Sequence, residues 1–316
     1  MAATDDSELI WTKKPSLRSP VLVAAFEGWN DAGEAASTSV RHLIEQWNGK
    51  EFGSIDPEIF FDFSTTRPEV HLIDGRTRAI EWPTNLFYSA PLGTSGRDVI
   101  LLLGNEPQLR WRTFCAHIID VARTCKVEMV VTLGSLLADV PHTRPVRITG
   151  TSADPEMLEE LGLQRSRYEG PTGIVGVLHD ALGRAGFRSC SLWAAVPHYL
   201  PGTPSPKAAL ALLERASTVL QIHIPTLSIE INAAQYDRQV DEVVEADDDM
   251  VGYVRRLEMS HDAGDDEDDD DLDDEIDDVE DPTADAPSLR GENGEIPSGD
   301  ELAAELERYL RDQDSP

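Results

Sequence analysis

The chain has 316 residues and a formal net charge of −32, from 59 acidic and 27 basic side chains. No basic stripe is available to neutralise phosphate groups, so this charge excludes nucleic acids and anionic membrane surfaces as binding partners. Basic patches on other proteins remain possible partners, because long-range attraction would steer them to the chain.

The acidic residues are concentrated at the end of the chain, where residues 262–316 hold 24 acidic and 3 basic side chains. Because so few apolar side chains follow residue 261, burial cannot offset the conformational entropy of folding there. We therefore predict a disordered acidic linker at residues 262–296. The preceding sequence is divided into an N-terminal arm at 1–18, an α/β core domain at 19–225 and a helical extension at 226–261.

Residues 297–313 are predicted to form an amphipathic helix after this linker. A capping box begins it, since Ser298 is followed three residues later by Glu301. Its apolar face consists of Leu302, Leu306, Tyr309 and Leu310. Helices of this kind dock into hydrophobic grooves, so the four residues are predicted to bind a partner or the protein's own surface.

The cysteines and the apolar runs indicate the compartment. Cys115, Cys125 and Cys190 are odd in number and widely spaced, so they predict buried thiols and neither a disulfide framework nor a zinc site. The N-terminus has no basic region followed by an apolar stretch, and no apolar run approaches the roughly 20 residues that span a bilayer. These features predict a cytoplasmic protein.

Short β-rich runs alternate with amphipathic helical stretches through residues 21–221. The predicted strands are Val21–Phe26, Ile59–Phe63, Val70–Ile73, Arg78–Trp82, Val99–Leu103, Glu128–Leu133, Arg147–Thr151 and Ser189–Val196. The predicted helices are Asp31–Trp47, Leu109–Cys125, Asp154–Leu161, Gly173–Gly186 and Lys207–Gln221, the last opened by Ser205 as N-cap and Pro206. This alternation predicts a three-layer α/β fold with a mostly parallel sheet flanked by helices. The polar strands between residues 59 and 82 are expected at a sheet edge.

Residues 226–259 carry a different pattern, typical of a coiled-coil seam. The apolar positions are Ile229, Ala233, Tyr236, Val240 and Val243, continued by Met250, Val254 and Leu257 and interrupted at Asp247. Spacings of four and three residues predict a long helix or a helical pair. The apolar face packs either on the protein's own sheet or against another subunit.

The first turn after a predicted strand carries the strongest local signal. Gly28-Trp29-Asn30-Asp31-Ala32-Gly33 follows the strand Val21–Phe26 and opens the first helix. Its glycines would let the backbone approach a ligand, and the free helix amides would favour an anion. Alternatively, Asn30 or Asp31 caps the helix and Gly33 permits close packing of helix and sheet.

Further turns follow later strands and supply polar side chains. The predicted ligand-binding residues are Gly28, Asn30, Asp31, Gly33, Gly104, Glu106, Gly134, His142, Arg144 and His198. The carboxyl ends of parallel strands lie at one edge of a sheet, so these residues could line one pocket for an anionic or ribose-like ligand. Alternatively, each of them is a turn residue with a solvated side chain.

Known catalytic patterns are missing from the sequence. It contains no Gly-x-Ser-x-Gly nucleophile elbow, no P-loop, no dinucleotide fingerprint and no histidine pair at metal-ligand spacing. We therefore assign no catalytic residue, no metal and no cofactor, and favour a protein that is not an enzyme.

Five motifs occur in order along the chain: Gly28-Trp29-Asn30-Asp31-Ala32-Gly33, Gly104-Asn105-Glu106-Pro107, Leu137-Ala138-Asp139-Val140-Pro141-His142-Thr143-Arg144-Pro145, Tyr168-Glu169-Gly170-Pro171-Thr172-Gly173 and Pro197-His198-Tyr199. In these motifs the chain resembles the proteasome assembly chaperone family, second-subunit type, and looks most like its actinobacterial branch. The resemblance covers roughly Val21 to Met259. It implies a core similar to purine nucleoside phosphorylases, a C-terminal helical addition, and relatives that help assemble proteasome core particles.

The resemblance and the missing catalytic patterns together predict a non-catalytic assembly chaperone or interaction protein. Its expected partners are proteins, including proteasome subunits, and further copies of the chain in a homo-oligomer. Family members that dock by C-terminal insertion end in a hydrophobic residue, Tyr and any residue, whereas this chain ends in Asp314-Ser315-Pro316. Docking by that route is therefore not expected. The alternative function is binding or conversion of a nucleoside-, nucleotide- or phosphate-type ligand at the turns after the parallel strands.

Overall fold

An eight-stranded sheet is the central element of the computed structural model, which describes residues 8–73, 75–93, 96–163 and 168–263. Its strands, in spatial order, are β1 (Leu9–Trp11), β3 (Lys50–Ile55), β6 (Asn85–Ala90), β7 (Val99–Asn105), β2 (Val21–Glu27), β8 (Met129–Ala138), β10 (Arg188–Pro197) and β9 (Ile148–Ser152). The four strands from β7 to β10 pair in parallel, and antiparallel strands extend the sheet on both sides.

Helices cover both faces of this sheet. They are α1 (Ala35–Gln46), α2 (Trp111–Cys125), α3 (Pro155–Leu161), α4 (Ile174–Arg184), α5 (Pro206–Leu220), α6 (Leu227–Glu245) and α7 (Asp248–Ala263). Side chains of α1, α3 and α5 pack on one face, and side chains of α2 and α4 pack on the other. The predicted three-layer α/β fold is confirmed. None of the described helices has both the length and the apolar composition to cross a membrane.

Strand β2 shows why the sequence has this architecture. Val21 and Val23 contribute to one apolar core, whereas Leu22 and Phe26 contribute to the core on the opposite face. A central parallel strand is buried on both faces, so its apolar residues form a continuous run and do not alternate with polar ones.

Two helix starts are confirmed by their capping geometry. The Ser205 Oγ accepts a hydrogen bond from the Ala208 N–H at 3.3 Å, with Pro206 as the first residue of α5. The Asp154 carboxylate accepts from the Glu156 N–H at 3.0 Å at the start of α3. Each acceptor satisfies a backbone amide that has no partner within its own helix.

The helical pair predicted after residue 226 is formed by α6 and α7, which separate near Asp247. Four apolar residues of this pair pack around Tyr199 and Leu200, namely Tyr236, Val240, Val244 and Val254. The seam therefore packs on its own chain, against α5 and the turn after β10. The assignment of Val243 to the seam is wrong, because Val244 is buried and Val243 is exposed.

Several predicted strands differ from the observed ones. Residues 59–63 form turns in which Phe60 and Phe61 are buried, so the apolar run there reflects core packing without strand pairing. Strands β4 (Glu69–Ile73) and β5 (Thr77–Glu81) are edge strands, as expected, but of a separate two-stranded sheet that they form with each other. Strand β1, in the segment predicted as an N-terminal arm, pairs with β3.

Two of the three cysteines are core residues. Cys115 and Cys190 are buried and free, and burial raises the pKa of each thiol to about 12. Burial also raises the pKa of the half-buried Cys125. Such thiols stay protonated at neutral pH and are poor nucleophiles.

Strands β7 and β8 extend beyond their predicted ends, and this changes the interpretation of two glycines. Gly104 and Gly134 lie within the strands and not in the turns after them. A Cβ atom at Gly134 would lie 2.6 Å from the Cε3 and Cζ3 atoms of Trp193. A Cβ at Gly104 would lie 2.2 Å from the Oδ1 of Asn85. Both glycines therefore provide space for a neighbouring side chain.

We predict that Gly134→Ala lowers the free energy of unfolding by about 1–3 kcal/mol, because the added methyl group forces the Trp193 ring or the strand to move. Gly183→Ala in α4 is the control, since its Cβ would meet only an ordinary contact at 3.8 Å. That change should stabilise the protein by up to about 1 kcal/mol, through higher helix propensity. Urea denaturation of both variants measures the two effects, and equal stabilities would contradict the packing argument.

Candidate functional site

The turns that follow the four parallel strands adjoin one another at the carboxyl edge of the sheet. The Ser135 N–H donates to the Asn30 carbonyl at 2.9 Å, and the Glu106 N–H donates to the Glu27 carbonyl at 2.8 Å. The His198 N–H donates to the Ala138 carbonyl at 3.1 Å. We call this edge the carboxyl rim, defined as the turns after β2, β7, β8 and β10.

An open groove of about 300 Å³ lies on the carboxyl rim beside β2 and β7. Its lining consists of Glu27, Gly28, Trp29, Thr66, Asn105, Glu106 and Gln108. We name it the Trp29 groove, because the Trp29 side chain is its large exposed apolar group, with half of its surface accessible to solvent.

Glu106 connects the groove to helix α4. One carboxylate oxygen accepts from the Trp29 N–H at 3.2 Å, and the other accepts from the Ile174 N–H at 2.7 Å. The buried Asn30 Oδ1 accepts from the Val175 N–H at 3.4 Å. Two side chains of the protein thus occupy the amide donors at the start of α4, where an anion would otherwise bind.

Asp31 accepts hydrogen bonds at the start of α1, as Glu106 and Asn30 do at the start of α4. Its Oδ1 accepts from the Ala36 N–H at 2.8 Å and from the Ser37 N–H at 3.0 Å. Burial raises the pKa of this carboxyl, although the hydrogen bonds and Arg41 oppose the shift. The donors needed by the predicted anion site are therefore occupied by Asp31, as expected for a helix cap.

Glycines shape the turn between these two caps. Gly28 has a φ of +132°, and a Cβ there would lie 3.1 Å from the Glu106 Cβ. Gly33 has a φ of +58°, and its carbonyl accepts from the Ser205 N–H at 2.7 Å. Both positions require the left-handed backbone that glycine adopts without strain. Gly33 joins the first turn to the start of α5.

Glu27 completes the interactions of the groove. Its Oε2 accepts from the Asn105 Nδ2 at 2.9 Å, and its Oε1 forms an ion pair with Arg41. The carboxylates of Glu27 and Glu106 are thus both engaged with the protein itself. Neither is held as a free base, and the described residues contain no group of three or more His, Cys, Asp or Glu side chains placed to hold a metal ion.

The predicted residues His142, Arg144 and His198 lie together on a different part of the rim. The His142 Nδ1 lies 2.7 Å from the Tyr199 hydroxyl, and its Nε2 lies 3.1 Å from the Asp241 Oδ1 on α6. The Tyr199 hydroxyl also accepts from the His142 N–H at 2.8 Å. His142 is buried, so its ring links the turn after β8 to the helical pair.

Arg144 and His198 make equivalent links to α7. Arg144 donates to both Asp262 oxygens, at 2.8 and 2.7 Å, and to Glu258 at 3.1 Å. Its hydrogen bonds to Asp262 and the nearby charge of Glu258 raise the pKa of the guanidinium. The His198 Nε2 lies 3.2 Å from the Tyr253 hydroxyl. We name these contacts of His142, Arg144 and His198 the extension clamp.

The single predicted pocket is therefore divided. Gly28, Asn30 and Glu106 lie together at the Trp29 groove, whereas His142, Arg144 and His198 form the extension clamp. Among the described residues, no hydrogen bond joins Glu106 or Asp31 to His142. The predicted partner-binding residues lie outside the described residues: Leu302, Leu306, Tyr309 and Leu310.

Three contributors to these sites were not among the predicted residues. Trp29 and Tyr199 directly neighbour predicted positions, so their motifs contained a usable signal. The sequence pattern around Asp241 predicts only a solvent-exposed acidic residue on an amphipathic helix. Its role depends on a contact with His142, which lies 99 residues earlier in the chain.

We predict that Asp31→Ala lowers the free energy of unfolding at pH 7 by about 1 kcal/mol, because α1 loses its cap. Asp31→Asn keeps an oxygen acceptor and is the matched control. The folded-state pKa of Asp31 is raised above the ordinary 3.8, so the folded state retains this proton when the unfolded chain has lost it. Its contribution to stability therefore falls as the pH rises above 3.8.

Asp31→Asn removes that contribution, so its stability relative to wild type should improve between about pH 4 and pH 7. Thermal unfolding of the three proteins at both pH values measures this difference. A constant offset between Asp31→Asn and wild type would contradict a buried, ionising cap.

We also predict that Tyr199→Phe costs about 1–3 kcal/mol of stability, because the buried His142 N–H and ring lose their partner. Burial raises the pKa of the Tyr199 phenol to about 12, so its hydroxyl stays protonated at neutral pH. Tyr253→Phe is the control and should cost about 1 kcal/mol or less, since its partners are solvated. Chemical denaturation ranks the two variants, and the reverse order would contradict the extension clamp.

The family model described as PAC2 family matches residues 25–244, which is more than half of the chain. No curated protein matches the chain. A PAC2 family protein from Streptomyces avermitilis is 44% identical, with a TM-score of 0.69, and the match covers 74% of this chain and 99% of that chain.

Two other solved structures extend the comparison. A proteasome-assembly chaperone homologue from Mycobacterium tuberculosis is 43% identical, with a TM-score of 0.69, and the match covers 74% of this chain and 99% of that chain. The archaeal proteasome activator PbaB from Pyrococcus furiosus is 16% identical, with a TM-score of 0.61 over 74% of this chain and 97% of that chain. This last likeness shows the fold alone. The chain belongs to the PAC2 family.

Proposed function

We propose that this PAC2 protein is a non-catalytic chaperone that binds proteasome core subunits during their assembly. The observation that carries the proposal is the 43% identity to a proteasome-assembly chaperone homologue, 99% of which is covered by the match. The proposal includes a cytoplasmic location and membership of the second-subunit type. Relatives from Streptomyces and Mycobacterium at 44% and 43% identity support the actinobacterial branch.

The Trp29 groove supports a contact surface in this proposal. Its carboxylates accept hydrogen bonds from backbone amides, an amide side chain and Arg41, so the charged groups stabilise the groove walls. The Trp29 side chain, which lines the groove, is half exposed. Exposed tryptophans beside a polar rim are typical anchors of protein interfaces.

The walls of the groove are also held in one conformation. Glu106 bonds both the Trp29 N–H and the start of α4, so the turn after β2 cannot move independently of β7. A backbone turn that is already ordered loses little entropy on binding. The groove therefore has the preorganisation that favours association with a second protein.

The small-ligand alternative remains a prediction. The start of α1 is bonded to Asp31, and the start of α4 is bonded to Glu106 and Asn30. An anion would have to displace these side chains before it reached the amides. No described contact favours this alternative over the chaperone function.

We predict that Trp29→Ala weakens binding of the full chain to purified proteasome core subunits from the same organism by about 30-fold or more, as expected for an interface anchor worth about 2 kcal/mol. Leu227→Ala is the matched control, because Leu227 is a large exposed apolar residue on α6, away from the groove. It should bind like the wild type.

Surface-immobilised subunits give the affinities, and native gels give the rate at which core particles form. The wild type should accelerate formation, and Trp29→Ala should not. If the wild-type chain neither binds free subunits nor changes this rate, the proposed function is wrong. If both variants bind equally well, the Trp29 groove is not the contact surface.

A further inference from the structure

The two carboxylates that line the Trp29 groove can accept more hydrogen bonds than they do. A carboxylate offers about four acceptor sites, shared between its two oxygens. Each Glu106 oxygen accepts one bond from a backbone amide. Each Glu27 oxygen accepts one bond from a side chain. The groove therefore has acceptor sites left for a ligand that carries several donors.

The amide side chains of the groove use their donors within the protein. The Gln108 Nε2 donates to the Thr66 Oγ1 at 2.8 Å and to the Glu106 carbonyl at 3.2 Å. The Asn105 Nδ2 donates to the Glu27 Oε2 at 2.9 Å. The lining thus presents mainly acceptors, so it favours a ligand rich in N–H groups over one rich in oxygen.

The two carboxylates differ in how their charge is compensated. Glu27 forms an ion pair with Arg41. Among the described residues, no Lys, Arg or His side chain forms an ion pair with Glu106, which accepts its bonds from neutral backbone amides. Glu106 is also only partly exposed. A carboxylate in such a position gains from a cation with N–H donors, because charge-assisted hydrogen bonds are stronger than neutral ones.

The Trp29 side chain adds an aromatic surface to the same groove. It is 50% exposed and lines the groove together with Glu27 and Glu106. A cation within about 6 Å of an indole ring is attracted by the negative face of the ring. The groove thus combines an aromatic ring, an uncompensated carboxylate and a free volume of about 300 Å³.

We propose that the Trp29 groove binds an arginine side chain of a partner protein. A guanidinium has several N–H donors and no acceptor, which matches the acceptor sites left on Glu106 and Glu27. It is planar and weakly hydrated, so it stacks on an indole ring while its N–H groups reach carboxylates. Lysine fits less well, because its ammonium is compact, strongly hydrated and unable to stack.

The charge of the whole chain supports a basic ligand. A net charge of −32 attracts basic segments from a distance and raises their rate of encounter with the protein. The groove then selects arginine at short range. The inference rests on the proposed function for the identity of the partner, which is an exposed arginine-bearing segment of a proteasome core subunit.

The test is two-dimensional NMR of the ¹⁵N-labelled full chain, titrated with the peptide acetyl-Ala-Arg-Ala-amide. The backbone N–H groups of Trp29 and Ile174 are the reporters, because both donate to the Glu106 carboxylate. Both signals should shift and saturate with a dissociation constant of about 1 mM, as expected for a single side chain.

The matched ligand control replaces arginine by citrulline, which has nearly the same shape but no charge. This peptide should bind at least about tenfold more weakly, because its bonds to Glu106 are no longer charge-assisted. The lysine peptide should bind between the two. Both comparisons use the wild-type chain, so they do not depend on how a variant folds.

Variants of the chain locate the site. Glu106→Gln should weaken arginine binding by about tenfold and reduce the preference for arginine over citrulline. Trp29→Leu, followed at Ile174, should weaken arginine binding by about threefold or more, because the stacking surface is lost. Glu214→Gln is the matched control, since it makes the same charge change at an exposed residue of α5 that does not line the groove. It should bind like the wild type.

The proposal is overturned if the arginine peptide shifts neither reporter at concentrations up to about 20 mM, well above the expected dissociation constant. Equal binding of the arginine and citrulline peptides also overturns it, as does wild-type affinity in both groove variants. Failure of the chaperone function is a separate result. A chain that binds the arginine peptide but no proteasome subunit retains the arginine site, whereas one that binds subunits but not the peptide retains only the chaperone function.

Discussion

Acidic side chains at the starts of helices hold the carboxyl rim together. Asp31 accepts two amide hydrogen bonds from α1, and Glu106 accepts one from the turn after β2 and one from α4. Unpaired amides at a buried helix start are costly, so these carboxylates keep adjacent turns in one arrangement. At the edge where parallel sheets commonly bind small molecules, amides at the starts of α1 and α4 are thus bonded to the protein's own side chains.

In the extension clamp, carboxylates likewise connect elements that are distant in sequence, here the turn after β8 and the helical pair. His142 and Arg144 use one short turn to bond carboxylates of α6 and α7, so the pair is attached by directional contacts as well as by its apolar seam. Among the described residues, the exposed large apolar side chains include Trp29 and several residues of the hairpin of β4 and β5. The polar side chains of the carboxyl rim are bonded within the protein, whereas these apolar side chains are exposed. Exposed apolar patches of this kind are typical of surfaces that bind other proteins.

The sequence by itself determined the α/β class, the parallel centre and most helix bounds. These features follow from local properties that neighbouring residues carry. Val21–Phe26 is apolar throughout because both faces of a central strand are covered, and Ser205 with Pro206 begins α5 whatever surrounds it. The adjacency of the four turns also followed, since parallel strands end at the same edge.

Only the tertiary structure decided what the polar residues of those turns do. Glu106 and His142 were predicted to share a pocket. Instead, Glu106 is hydrogen-bonded to the start of α4, and His142 is hydrogen-bonded to α6. Gly104 and Gly134 were predicted to face a ligand, yet they make room for Asn85 and Trp193. The partner of a side chain depends on how elements far apart in sequence pack together. A local sequence pattern does not predict which distant element will lie beside a given residue.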